Sequence, residues 1–129
     1  MNVGIKGFQK EYVTEEKTAE RFGSGELKVY ATPAMIALME KTAFTSVADE
    51  LEEGQGTVGT LIDVKHLAAT PVGMEVRCES ELVEIKNDRQ LVFNVKAYDD
   101  EGLIGEGIHE RFVIKNEKFL SKANAKLEK

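Results

Sequence analysis

A chain of 129 residues with a net charge of −6 is one domain by length, and it has no basic excess to suit a nucleic-acid footprint. Its 42% apolar content suffices for a core without metal or disulfide staples, and no stretch approaches the roughly 18 apolar residues of a membrane span. The single cysteine, Cys78, cannot form an intrachain disulfide, and the Met1–Gly7 run is too poor in apolar residues for a signal peptide, so the expectation is a soluble, cytoplasmic domain.

Taken in chain order, Glu11–Thr14, with Phe8 and Tyr12 beside it, predicts a short first strand. Phe22-Gly23-Ser24-Gly25 reads as a flexible turn, and Leu27–Tyr30 as a short extended run. The strongest local signal follows. Thr32 to Leu51 has the marks of one long helix: the threonine suits an N-cap, Pro33 suits the first helical position, and Gly54 suits the stop. Ile36, Ala43, Phe44, Val47 and Leu51 recur at helical spacing and predict the buried stripe. Glu40 falls on the same stripe, between Ile36 and Phe44, which puts a carboxylate in the middle of a face that should be apolar.

Gly54–Gly56 reads as a loop. Thr57–Ala68 then alternates, and its β-branched residues predict a strand with Val58, Thr60, Ile62, Val64 and His66 on one face. Thr70–Gly73 is a turn, Met74–Lys86 a second long strand, Asn87-Asp88 a tight hairpin and Gln90–Tyr98 a third strand. After the acidic turn Asp99–Gly102, Leu103–Ile114 is a fourth, in which Gly105 and Gly107 predict a bulge or a close backbone approach. From Asn116 the chain reads as a short helix or a frayed tail. Four consecutive strands without intervening helices predict an antiparallel meander, and one apolar-striped helix must cover one of its faces. The expected fold is therefore α+β, a five-stranded antiparallel sheet wrapped around one long central helix, in a single domain over residues 1–129.

Three polar residues stand out against this frame. Glu40 and His66 break apolar patterns, and buried polar groups need either partners or a chemical role. Each has an ordinary reading: a helix carboxylate reaching water, a core histidine with both nitrogens satisfied, and, for Thr32, a plain N-cap. Together they suggest more. Thr32 and Glu40 lie about two turns apart on one helix, and His66 is on a strand that should pack nearby. A hydroxyl, a carboxylate and an imidazole could then meet where helix and sheet touch, or across a dimer seam. His109, Glu110 and Arg111 read first as a charge cluster on an edge strand. The Gly56–Thr60 stretch lacks the lysine of a phosphate loop. Two distant histidines and one cysteine give no metal-ligand spacing.

Ala31 to Glu40, Gly59-Thr60, the run Val64-Lys65-His66-Leu67-Ala68-Ala69-Thr70-Pro71-Val72-Gly73, and Gly107 to Arg111 together resemble the fluoroacetyl-CoA thioesterase-like group of hotdog-fold proteins. The resemblance covers most of the chain and is weakest at its start. It implies a hotdog fold, a homodimer and an acyl-CoA site at the dimer interface, with coenzyme A as part of the substrate and no separate cofactor. By position it implies Thr32, Glu40 and His66 as catalytic residues, with Gly59, Thr60 and Arg111 at the substrate. One departure is visible: Glu26 stands where the fluoroacetyl-specific enzyme carries an aromatic gate, with Leu27 beside it. The resemblance thus implies hydrolysis of a small acyl-CoA without implying fluoroacetyl selectivity. A non-catalytic acyl-CoA or acyl-carrier binding module is the alternative from another class, and an acyl-CoA hydratase or dehydratase ranks last.

Overall fold

In the computed structural model, which describes residues 1–128, a five-stranded antiparallel sheet curls around one helix. The strands are β1 (Lys6–Tyr12), β2 (Gln55–His66), β3 (Glu75–Lys86), β4 (Gln90–Asp99) and β5 (Gly102–Lys115). The helices are α1 (Ala19–Phe22), α2 (Thr32–Val47) and α3 (Asn116–Asn124). The expected α+β class and central helix are both present. The strand order is β1-β3-β4-β5-β2, so only β3, β4 and β5 form a meander. β2 does not pair with the strand that follows it. It crosses to the far side of β5, which leaves β1 and β2 as the two edges.

Several boundaries differ from the sequence reading, each for a local reason. The first strand runs over Lys6–Tyr12 rather than Glu11–Thr14, because β3 supplies a partner along that whole length. β2 begins at Gln55, inside the expected loop, because Gln55 and Gly56 already pair with Lys115 and Ile114. The α-helix stops at Val47 and tightens into a 3₁₀ turn over Ala48–Glu50, so Leu51 lies outside it. α1 is a single turn, too short for any periodic signal. It is capped by the Thr18 hydroxyl, which accepts from the Arg21 N–H, and it ends at Gly23 with φ of 72°. The Asn87-Asp88 hairpin appears as expected, both residues at positive φ, the backbone that a two-residue connection needs to match strand twist.

The buried side of α2 coincides with the predicted stripe only at Ala43 and Val47. Met35, Leu38, Met39, Thr42, Ala43 and Val47 are buried, while Phe44 is 43% exposed and Ile36 and Glu40 are half-buried. The two stripes are neighbours on one helix. Methionine and leucine at 35, 38 and 39 fill the concave sheet, so the Ile36–Glu40–Phe44 row turns toward the open edge at β2. The core is completed by Val76, Cys78 and Leu82 of β3 and by Leu91, Phe93 and Val95 of β4. Fully burying a large apolar side chain contributes about 1.5–3 kcal/mol, so this side of α2 is what anchors it.

The glycine signal in β5 marks close approach. A Cβ on Gly105 would come within 2.5 Å of Met35 Sδ, and one on Gly107 would run into the Asp63 carbonyl and Val64 Cα of β2. Backbone cannot yield as a flexible side chain does. Gly107→Ala is therefore expected to destabilise the fold by about 1–3 kcal/mol. A lower urea midpoint at unchanged slope would show it; an unchanged midpoint would contradict this packing.

Candidate active site

Thr32 does not cap α2. Ala31 occupies the N-cap position, with φ of −73° and ψ of 139°, and Thr32 is the first helical residue. Its hydroxyl is thereby free for another partner, and it shares a 2.7 Å hydrogen bond with Nδ1 of His66. His66 ends β2 opposite Gly105, on the helix-facing side of the sheet. Tyr30 meets the imidazole edge-on, ring centres 6.5 Å apart. His66 Nε2 is buried and has no hydrogen-bond partner among the described residues. Burial holds the ring's pKa below the usual histidine value, against a weaker pull from the Ala68 backbone. A cavity of about 280 Å³ opens beside the pair, lined in part by Tyr30, Thr32, His66 and Ala69.

Glu40 sits about 12 Å further along the helix axis, at 1.5 Å per residue. Its Oε2 accepts from Arg111 Nη1 at 3.3 Å, and its side chain is 42% exposed against 7% for the arginine. Arg111 is held on three sides. Nε donates to Thr57 Oγ1 at 2.8 Å, Nη2 donates to the Thr57 carbonyl at 3.0 Å, and Nη1 also reaches His109 Nε2 at 3.0 Å. The guanidinium carbon lies 5.6 Å from the centre of the Phe44 ring. Burial lowers the pKa of Arg111, and Glu40 pulls it back up.

Gly59 faces Arg111 across the β2–β5 ladder. A Cβ there would lie 2.7 Å from Glu40 Oε2 and 3.2 Å from the His109 ring, so only glycine leaves room for the carboxylate. The next residue, Thr60, is a bulge. Gly59 pairs with Arg111 and Leu61 with Glu110, which leaves Thr60 unpaired and reverses the side-chain phase. Val58 and Thr60 therefore do not share a face with Ile62, Val64 and His66, as strict alternation predicted. Thr57 and Gly59 do. The Thr60 hydroxyl is spent on the Glu110 carbonyl at 3.3 Å, apart from the other candidates.

Two groups thus emerge from the six candidate residues: Thr32 with His66, and Glu40 with Gly59 and Arg111. No hydrogen bond joins the two groups among the described residues. Thr57, Phe44 and Tyr30 also border the site, and an ordinary strand threonine and two aromatics carry no sequence signal of it. His109 and Arg111 are no edge-strand cluster. β5 lies between β4 and β2, and the two side chains are only 1% and 6% exposed. The clue was there in the sequence, two cationic residue types alternating in phase with Gly105 and Gly107.

Residues 13–117 match the family model described as fluoroacetyl-CoA-specific thioesterase. The chain belongs to that family. Among curated relatives, the fluoroacetyl-CoA thioesterase of Streptantibioticus cattleyicolor is 43% identical over 99 residues, spanning 77% of this chain and 70% of that protein. A solved threonine-to-alanine variant of a fluoroacetyl-CoA thioesterase, in complex with fluoroacetate, superposes with a TM-score of 0.91 at 38% identity, covering 98% of each chain. A Thermus thermophilus member of the thioesterase superfamily superposes with a TM-score of 0.88 at 28% identity, over 98% of this chain and 93% of that one. The family thus extends over α2, Gly59 and the Thr60 bulge, His66 and Arg111, the elements that build both groups.

Both histidines have pKa values lowered chiefly by burial. Between the ordinary histidine value of about 6.5 and the lower folded values, the unfolded chain binds more protons than the folded one. Stability should therefore be full above pH 6.5 and fall as pH drops below it. Urea midpoints at decreasing pH would report this, and replacing either histidine by glutamine should flatten the fall.

Proposed function

We propose that this chain hydrolyses a small acyl-CoA at a site completed by a second copy, with Thr32, Glu40 and His66 carrying the reaction. One observation supports this most. In a family of thioesterases, Glu40 is a carboxylate with one oxygen held by a buried arginine and a flank kept clear by Gly59. Such a group is oriented and accessible at once. It can attack the thioester carbonyl carbon, forming an acyl-enzyme anhydride as the C–S bond breaks and coenzyme A leaves as its thiolate. Alternatively, it can take the proton from an attacking water. In the first course water then cleaves the anhydride and restores Glu40; either course, once the thiolate is protonated, ends in carboxylic acid and free thiol.

The other group suits the ends of the reaction. The carbonyl oxygen gathers negative charge as the carbon is attacked, and the start of α2 offers orphan N–H groups to receive it, while the Thr32 hydroxyl orients the His66 ring. With Nδ1 of His66 accepting from Thr32, the ring proton resides on Nε2, a buried donor with no hydrogen-bond partner among the described residues, and this is the proton assigned to the departing thiolate.

The separation of the two groups along α2 is the reason for invoking a second copy. β2 is an unpaired edge, and apolar surface lies exposed along it at Phe44, Leu61, Ile62 and Ile108. Edges of this kind are ordinarily paired or covered, and a two-fold dimer is the commonest solution. Antiparallel pairing of two β2 edges sets the Gly59 end of one copy toward the His66 end of the other. Glu26 and the exposed Leu27 replace the aromatic gate, so a small acyl group is proposed without preference for the fluorinated one.

Glu40→Gln should lower kcat by roughly 10²- to 10⁴-fold in a thiol-release assay across short, long and aryl acyl-CoAs. Full retained hydrolysis of every acyl-CoA would remove Glu40 from the reaction. Coenzyme A binding without turnover by the native protein would favour a binding module instead. Sedimentation at micromolar concentration should show a dimer, and a monodisperse monomer would count against the shared site.

A further inference from the structure

The residue beneath the Glu40–Arg111 pair has no part in the chemistry above, yet its hydrogen bonds leave it only one state. His109 is 1% exposed. Its Nδ1 lies 2.7 Å from the Leu61 carbonyl oxygen, just past the Thr60 bulge, and its Nε2 lies 3.0 Å from Arg111 Nη1. A carbonyl can only accept, so Nδ1 must carry a proton. A guanidinium can only donate, so Nε2 must offer its lone pair. The ring is therefore neutral and of a single tautomer. Phe93 stacks against it, centroids 6.3 Å apart at an interplanar angle of 28°, which fixes its plane.

We infer that His109 is a positioning residue: its Nδ1–H tautomer presents an acceptor that fixes Arg111 Nη1, so that the remaining N–H of that nitrogen points at Glu40. Thr57 restrains the opposite edge of the guanidinium through Nε and Nη2, but neither of those nitrogens touches Glu40. Among the described residues only Nη1 does, and only His109 shares it. Without that acceptor the arginine keeps its charge and loses its aim. The carboxylate is then free to rotate, and the oxygen that faces substrate is no longer defined.

The surroundings favour the neutral ring. Arg111 and Glu110 on its own strand, Glu40 from α2, the Leu61 carbonyl from β2 and Phe93 from β4 are the groups that bear on it. Burial disfavours the imidazolium most and Arg111 adds to this, while the Leu61 carbonyl and the two carboxylates oppose them. A proton on Nε2 would set N–H against N–H and break the contact with Arg111.

The catalytic consequence rests on Glu40 acting as proposed above; the tautomer and the arginine's position do not. The sequence contains only two histidines, so ¹⁵N spectra of the imidazole rings resolve the matter on the native protein, with His66→Gln as the assignment control. The expected result near pH 7 is a His109 ring protonated at Nδ1 and bare at Nε2. A ring protonated at Nε2 would overturn the inference. Two variants separate positioning from packing. In His109→Gln the amide oxygen keeps an acceptor near the Nε2 position, and in His109→Asn the amide nitrogen keeps a donor near the Nδ1 position, so the pair dissects the two contacts. His109→Asn should shift the Arg111 Nη1–H resonance and lower kcat by on the order of 10- to 100-fold with KM little changed, and His109→Gln should retain most of both. Equal effects of the two variants, or an unmoved Arg111 resonance, would overturn it. If the native protein hydrolyses no acyl-CoA, the proposed reaction fails while the resonances still decide the role of His109.

Discussion

The side of α2 that carries Met35, Leu38, Met39, Thr42 and Ala43 has to be covered, and most of the architecture follows from how that is done. A lone helix of sixteen residues is marginal in water and gains its stability from packing one face. Here the cover is a curled sheet that meets the helix mainly through β1 and β3, with β4 behind them. β5 and β2 curve past the helix and touch it more lightly. This asymmetry leaves a seam between α2 and the β5–β2 side of the sheet. Every candidate residue except Thr60 borders that seam or its far end.

The seam explains why a carboxylate can occupy the edge of an apolar helix face. Glu40 is neither in the core nor loose in water. Arg111 reaches it from β5 through a gap that Gly59 leaves open. A buried guanidinium would be costly if left unpaired, because its donors cannot be abandoned away from water. Arg111 makes four hydrogen bonds, to the hydroxyl and carbonyl of Thr57, to His109 and to Glu40. The ion pair is asymmetric in exposure. Its cationic half is fixed by protein and its anionic half remains within reach of a ligand. That is the arrangement expected where the protein must orient a reactive carboxylate and still leave it usable.

The bulge at Thr60 connects these features. One extra residue in β2 lets Thr57 and Gly59 face the helix on one side of it, and Ile62, Val64 and His66 on the other. Without it, strict alternation would turn either Gly59 or His66 to the outside, and one of the two candidate groups would be lost. Bulges recur beside active sites for this reason: they re-aim side chains without breaking the sheet. The same irregularity stands next to the Leu61 carbonyl that holds His109.

Much of this was legible in the residues themselves. The long helix, its start near Thr32, the hairpin at Asn87-Asp88, the strand sequence and the close approach at Gly105 and Gly107 rest on local chemistry: proline at a helix start, residues that tolerate positive φ, alternation along a strand. Thr32, Glu40 and His66 were visible as polar breaks in apolar patterns. What could not be read locally was which neighbouring stripe of α2 would be buried, since two adjacent rows of apolar residues compete and only the shape of the sheet chooses between them. Nor could the crossing of β2 to β5, because strand order depends on the whole connection between Leu67 and Met74 and on no single residue. The pairing of Glu40 with Arg111 joins positions 71 residues apart, and the pairing of Thr32 with His66 joins positions 34 apart. Residue type alone told which groups could do chemistry. Only the tertiary structure decided which of them meet, because contact across a helix–sheet seam depends on register, and one bulged residue changes the register for every side chain beyond it.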